Sequence, residues 1–412
     1  MPRPSDEVRC KVFKQSGDSN TVAFRLGIEL TWFAHGGLGP HGLTAQAADL
    51  IDLALSVFVI EKEVASRSTT NPVVRVELNV PLRDVRTWKS GGETAAARLL
   101  DTMGIPSWFI EVRSAPKRSI PPIELGVSRA AKQVALFSGG LDSTSGAATL
   151  NDDERAVTVL ASFYTRQLTL QRSLAEKLGL EPPAQFGLRW ERAPGRGRSF
   201  RYRSFLFLSI AAAVASSWRA QRILQFENGI LASSIGPAPS FMMTRHAHPS
   251  THRHAEALFS SVLNTPMTIA NPFFLKTKRQ CVESVPRRLR DVLRETETCW
   301  FLYSNHIAGR PKSPHEPCGV CIPCLLRRTA FPDEPCKVDL RKDSDRNDEK
   351  LGRAFRSYYS FLDAVRKCRN SIQFYEVLSA SGRELVTREG VDLDDLHGLF
   401  RTFAKEFFNT FR

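Results

Sequence analysis

Residues 131–150 constrain the fold more than any other part of this 412-residue chain. Residues 134–137 form a short apolar run with the length and composition of a buried parallel strand. The small residues after Ser143 predict a helix packed closely on it. Between them lies Ser138-Gly139-Gly140-Leu141-Asp142-Ser143. Two adjacent glycines let the backbone take positive φ and approach a ligand. The amides at the start of the coming helix, with the flanking hydroxyls, form a cradle for phosphate. A strand before and a helix after supply the context that a bare Gly-Gly turn lacks. Leu141-Asp142 stands where a Walker loop needs its Lys-Ser or Lys-Thr pair, and the dinucleotide-binding glycine pattern fails as well.

Strands and helices alternate from residue 132 onward: a strand at 134–137, a helix from Ser143, a strand at 156–163, a helix over 168–178 and a strand at 186–190. A helix over 204–218 and a strand at 223–226 continue the pattern. Alternation of this kind predicts an α/β fold with a doubly wound parallel sheet, whose ligand crevice lies at the carboxyl ends of the strands. The Ser138 loop falls at such an end, and so does the polar turn Glu227-Asn228-Gly229. Ahead of this core, a helix over 44–65, a strand over 73–80, a helix over 95–103 and a strand over 108–112 predict an N-terminal α+β domain, residues 1–122. Residues 114–122, with three prolines, read as a linker. The core domain is expected over 131–338 and a C-terminal helical region over 351–412, with the polar run 339–350 as the linker between them. The C-terminal stripe of Phe355, Tyr358, Leu362, Leu396, Leu399, Phe400, Phe403, Phe407 and Phe408 is expected as core or a docking face.

No apolar run reaches the length of a membrane span, and the first nine residues lack the pattern of a signal peptide, so a cytoplasmic protein with no membrane contact is expected. The net charge of +14 concentrates in residues 131–339, where 27 basic side chains face 17 acidic ones. Such a field suits ATP, and would equally suit nucleic acid or an acidic partner protein. Six arginines and one acid occupy residues 189–203, and the last of them, Arg201 and Arg203, fall near a helix N-terminus that already favours anions. Four histidines, His246, His248, His252 and His254, crowd into nine positions. They suggest a metal at first sight, but no cysteine or carboxylate pair supports one and Pro249 is expected to break any helical i, i+4 pairing. A substrate-facing polar loop is the reading taken.

Eight cysteines are present, three of them in Cys318-Gly-Val-Cys321-Ile-Pro-Cys324. Two overlapping Cys-x-x-Cys steps bring three thiolates to one point, and in a chain without a secretion signal this reads as metal rather than disulfide. A structural Zn2+ site takes four ligands. Cys299 is the best candidate for the fourth, with Cys336, His306 and His315 as alternatives.

With these motifs placed, residues 132–331 resemble 7-cyano-7-deazaguanine synthase, an ATP pyrophosphatase of the pyrophosphate-loop (PP-loop) class. The resemblance runs through Ser-Gly-Gly-Leu-Asp-Ser-Thr, Phe163-Tyr164, Arg203-x-x-x-Phe207-Leu208-Ser209-Ile210-Ala211, Asn271-Pro272 and Thr277-Lys278. It ends on Cys299 and Cys318-Gly-x-Cys321-x-x-Cys324-x-x-Arg327-x-x-Ala330-Phe331. It implies a Rossmann-like PP-loop fold, ATP and Mg2+ as cofactors, and a zinc element held by Cys299, Cys318, Cys321 and Cys324. Ser138, Gly139, Gly140, Leu141, Asp142 and Ser143 would bind the ATP phosphates, with Asp142, Arg203 and Lys278 as catalytic residues. The implied activity is ATP-dependent adenylation of a deazaguanine-type carboxylate followed by amide or nitrile formation.

The chain departs from that family at Thr165-Arg166-Gln167-Leu168, at Arg203-Ser204, and at the basic residues 245–254, which replace an acidic substrate loop. The added N-terminal domain and the His248-Pro-x-Thr-His252 string resemble the synthase-like C proteins (QatC) of Qat anti-phage defence systems. In that setting the acceptor amine would lie on a partner protein of the defence operon instead of being ammonia, and oligomers are compatible with it. Two other classes remain: a tRNA-modifying PP-loop thiolase or ligase, and a non-catalytic nucleotide-binding defence scaffold.

Overall fold

The computed structural model describes residues 7–67, 73–104, 107–115, 118–121, 123–125, 131–163, 167–190, 201–236, 245–302, 306–307, 310–313, 316–334, 338, 340, 342, 348–349 and 352–411. The chain is a mixed α/β protein, and it divides into two compact units. The first comprises residues 1–138, 150–225 and 244–270, and the second 139–149, 226–243 and 271–412. These units do not follow the boundaries read from linker composition.

The first unit holds two sheets. β1 (Glu7–Lys14), β2 (Ser19–Arg25), β4 (Val73–Leu82) and β5 (Ser107–Ser114) form a four-stranded sheet in the order β2-β1-β4-β5. The larger sheet adds β3 (Leu30–Leu38), β6 (Ile123–Leu125), β7 (Gln133–Leu136), β8 (Thr158–Phe163), β9 (Ala184–Trp190), β10 (Arg222–Leu224) and β11 (Thr268–Ala270) in the order β11-β10-β7-β8-β9-β3-β6. Its strands from β11 to β9 are all parallel. All six β8 residues are buried, as expected of a strand covered on both faces. The expected all-parallel sheet is therefore corrected on one side: β3, from the N-terminal segment, pairs antiparallel with β9. Its apolar alternation lets it cover an edge that β9 would otherwise leave open.

Residues 118–121, expected as linker, are tied down. Arg118 pairs with Asp52, and Arg83 bridges Asp49 and Asp52 at 2.8 and 2.6 Å while donating to the carbonyls of Arg118 and Ser119. Both aspartates lie on the long helix Ala45–Arg67, so buried ion pairs fasten the segment to that helix and to β4.

The His-rich segment is a turn over 245–248 that leads into a helix, Pro249–Leu263, so His252 and His254 are helical and not in a loop. Pro249 falls in the first turn, where its missing N–H and fixed φ cost nothing. His248 caps the helix, its Nδ1 accepting from Ser250 N at 3.2 Å. His252 is buried with Nε2 2.9 Å from Gln225 Oε1, and burial lowers it to about 3, so it stays neutral. No metal-holding group forms there among the described residues.

The second unit begins with helix Leu141–Thr149. Eight of its nine residues are buried, and a Cβ on Gly146 would come 1.9 Å from the Phe226 ring, which explains the run of small residues. The unit continues through helices Lys278–Glu283 and Ile322–Ala330 and closes with Arg353–Lys367, Ser371–Val377, Ala380–Thr387 and Leu393–Thr410. The phenylalanine stripe is core: Phe355, Phe374, Phe400, Phe403 and Phe407 pack with Leu325 and Leu326 around the cysteines. Among the described residues no helix is long and apolar enough to cross a membrane.

Candidate functional site

Two buried clusters of chemically active side chains occur in the second unit. The first lies under the glycine turn. Gly139 takes φ +77°, which favours glycine, and Thr144 N and Ser143 Oγ both donate to Gly140 O as the helix begins. Asp142 sits in the first helical turn and is 7% exposed. Its Oδ2 accepts from Lys278 Nζ at 2.7 Å and from Asn228 Nδ2 at 3.0 Å. Asn228 Nδ2 also donates to Glu227 Oε1 at 2.8 Å. Asp142 Oδ1 is buried with no hydrogen-bond partner among the described residues.

Lys278 is thus ion-paired with Asp142, and the Glu227 carboxylate adds its field to the pair. Burial raises Asp142 to about 7, Lys278 opposing and Glu227 adding to the rise. Burial pulls Lys278 the other way, yet Asp142 and Glu227 hold it above the usual lysine range, so it stays charged. Lys278 is fixed from behind by a capping box, in which Thr277 Oγ1 accepts from Gln280 N and the Gln280 side chain accepts from Thr277 N. With no donor for Oδ1 among the described residues and the Glu227 carboxyl beside Asp142, the pair could share a proton or hold a cation. Asp142 and Glu227 make only a pair of carboxylates, so a magnesium ion held here would need phosphate oxygens to complete its shell.

Of the residues predicted for ATP, Ser138 and Arg203 fall in the first unit. Ser138 is exposed, and its carbonyl accepts from Gln171 Nε2 at 3.2 Å. Arg203 opens the buried helix Arg203–Trp218, 5.5 Å from the Phe207 ring centroid. Tyr164, Thr165, Arg166 and residues 191–200 lie outside the described residues.

The second cluster is the cysteine group. The Sγ atoms of Cys299, Cys318, Cys321 and Cys324 all lie within 4.8 Å of one another, and those of Cys318 and Cys324 are 3.8 Å apart. Four thiolates at ~2.3 Å from a tetrahedral zinc stand ~3.8 Å apart, so the group fits such an ion. Backbone amides already point at sulfur: Cys318 N and Phe301 N at Cys299 Sγ, and Cys321 N at Cys318 Sγ, each at 3.3 Å. Hydrogen bonds from the other three thiols depress Cys299, whereas burial pushes Cys321 well up. Crowded thiols release a first proton easily and resist losing more, a conflict that a divalent cation relieves. His306 is exposed on strand His306–Ile307, away from ligation, and Cys336 and His315 lie outside the described residues.

Arg327 holds this group to its neighbours. It donates to both Glu334 oxygens at 2.7 Å, to Thr296 O and Oγ1 and to Arg294 O, fixing the approach to Cys299. Sequence reading quoted Arg327 without a role and missed Asn228 as a partner of Asp142. Asn228 also caps helix Gly229–Ala232, a pattern readable from its position before that turn.

No protein-family model, no curated protein and no solved structure matches the chain.

Proposed function

We propose that the chain is an ATP pyrophosphatase of the 7-cyano-7-deazaguanine synthase type, with a PP-loop fold, that adenylates a deazaguanine-type carboxylate and passes it to an amine. The observation that carries this reading is Asp142. It lies at the start of a helix that follows a glycine turn, with one oxygen paired to a buried lysine and the other unsatisfied. Helix starts of this kind suit phosphate, and a buried oxygen without a donor beside a fixed cation is open to a ligand.

The chemistry needs what these residues can supply. A carboxylate is a poor electrophile until one oxygen becomes a leaving group. In the proposed reaction that oxygen attacks the α-phosphorus, the bond to the β-phosphate oxygen breaks, and pyrophosphate departs. An amine nitrogen then attacks the acyl carbon and AMP leaves as the amide forms. Activation of the amide oxygen by a second ATP would carry it to the nitrile. Asp142 would hold Mg2+, which when bound neutralises charge on the leaving pyrophosphate. Lys278 keeps a fixed positive charge beside Asp142. The cysteine group would hold Zn2+ as a structural element. The acceptor amine lies on a partner protein if the chain serves in phage defence.

Wild-type protein incubated with ATP, Mg2+ and 7-carboxy-7-deazaguanine should release AMP and pyrophosphate. ADP as the main product, resolved by chromatography, would refute the reading. AMP formed only when tRNA is added would favour a tRNA-modifying enzyme instead.

A further inference from the structure

Glu406 does not belong by polarity on the helix face that carries it. Helix Leu393–Thr410 turns Leu396, Leu399, Phe400, Phe403 and Phe407 inward, and steps of three and four along that face bring Glu406 into the same stripe. It is 8% exposed. A leucine would be buried there without penalty, whereas a carboxylate must be stripped of water. The structure satisfies only half of it. Oε1 accepts from Thr277 Oγ1 at 2.8 Å, while Oε2 is buried with no hydrogen-bond partner among the described residues.

The partner explains the placement. Thr277 is the N-cap of the helix that begins with Lys278, and its hydroxyl accepts from Gln280 N at 3.2 Å while donating to Glu406. One hydroxyl thus ties the C-terminal helix to the turn that aims Lys278 at Asp142. The same helix backs the other partner of Asp142. Gly229, next to Asn228, lies so close that a Cβ would come 2.6 Å from Leu399 Cδ2. Two contacts from one helix, which lies outside the segment carrying the resemblance, converge on the two residues that hold Asp142 Oδ2.

We propose that Glu406, acting through the Thr277 hydroxyl, is a positioning residue for Lys278. Its importance for turnover rests on the adenylation reading, whereas its hold on Lys278 does not. Without an acceptor the hydroxyl is free to rotate, the cap loosens, and the ammonium moves off the point where it is required.

Two measurements separate these claims. The first is the Asp142–Lys278 coupling, taken from a double-mutant cycle of Asp142→Asn and Lys278→Met in denaturant unfolding, in the wild type and in a Glu406→Leu background. The coupling constant should fall at least ~10-fold in that background, and equally with Thr277→Val, which covers the case of a Glu406→Leu protein that does not fold. The second is kcat against KM for AMP formation. Glu406→Leu and Thr277→Val should each lower kcat ~10-fold with KM for ATP within ~2-fold and zinc content intact, and the pair combined should lose no more than either alone. Glu406→Gln and Thr277→Ser keep the hydrogen bond and should recover most of the loss. Unchanged coupling, or a glutamine variant no better than leucine, overturns the inference. Absence of AMP from the wild type overturns the adenylation reading alone.

Discussion

The two buried clusters of the second unit meet the cost of desolvating charge in opposite ways. The cysteine group gathers four potential anions, and among the described residues backbone amides donate to its sulfurs. The Asp142 group carries its own cation, Lys278, together with an amide donor from Asn228. The first cluster has the geometry to hold a metal. The second carries its own cation, and among the described residues Asp142 Oδ1 has no donor. The contrast leads to the expectation that removing metal would loosen the fold around the first cluster and leave the fold around the second unchanged.

The hardest way to break that contrast is to remove the first cluster's ligands. Cys321→Ser combined with Cys324→Ser should take zinc from about one per chain to near none. The cysteines are packed among Leu325, Leu326, Phe355 and Phe400, so the second core should loosen with them. Structural zinc contributes on the order of 10 kcal/mol in small domains, and a loss of even a few kcal/mol should lower Tm by ~10 °C or more. Metal analysis and thermal melts check both parts. Retention of zinc by the double variant would remove these residues as ligands.

The second cluster should respond to charge rather than to metal. Asp142→Asn keeps the shape, leaves Lys278 with Glu227 as counter-ion, and should fold. AMP formation should fall at least ~100-fold, the scale of one lost electrostatic contact to a transition state. Lys278→Met is the more damaging to stability, because it leaves the buried Asp142 beside the half-buried Glu227 without a cation. Breaking a buried pair in this way costs ~3–5 kcal/mol. Withholding Mg2+ while the cysteine group keeps its metal should harm neither variant's fold. A Lys278→Met protein as stable as Asp142→Asn in denaturant would contradict the buried pairing of Lys278 with Asp142.

What could be read in advance follows the same division. Cys318, Cys321 and Cys324 are close in sequence, so spacing alone announced them. The strand, turn and helix around Ser138 were equally local, and the structure forms all three. Long-range partners were not legible. Nothing near Asp142 points to Asn228, 86 positions away, and nothing in β3 announces an antiparallel place beside β9. Pro249 misled because proline breaks a helix interior but suits a first turn, and only the start of the helix decides between them. Arg118 was masked by the prolines around it, although its ion pairs hold the segment in place. Glu406 did leave a signal, since it interrupts an otherwise apolar stripe three residues after Phe403.

The finest test asks whether a charge buried without a metal carries a cost that pH reveals. Burial raises Glu406 to about 7, the Thr277 hydroxyl and Arg279 opposing and Glu283 adding to the rise. Its ordinary value is 4.5, so between these limits the folded protein holds a proton that the unfolded chain has released. Stability must then fall as pH rises through that window: the group's contribution is fully present below ~4.5 and lost above ~7. A displacement of this size is worth at most ~3 kcal/mol. Glu406→Gln keeps an acceptor for Thr277 and has no proton to lose. Its Tm relative to wild type should therefore be nearly level at pH 5 and should shift in favour of the variant by pH 8. Asp142 titrates in the same window but is common to both proteins, so it cancels in the difference. A difference that stays flat from pH 5 to 8, or turns against glutamine, would mean that the Glu406 carboxylate is ionised at no cost. The contrast between the two clusters would then rest on the cysteines alone.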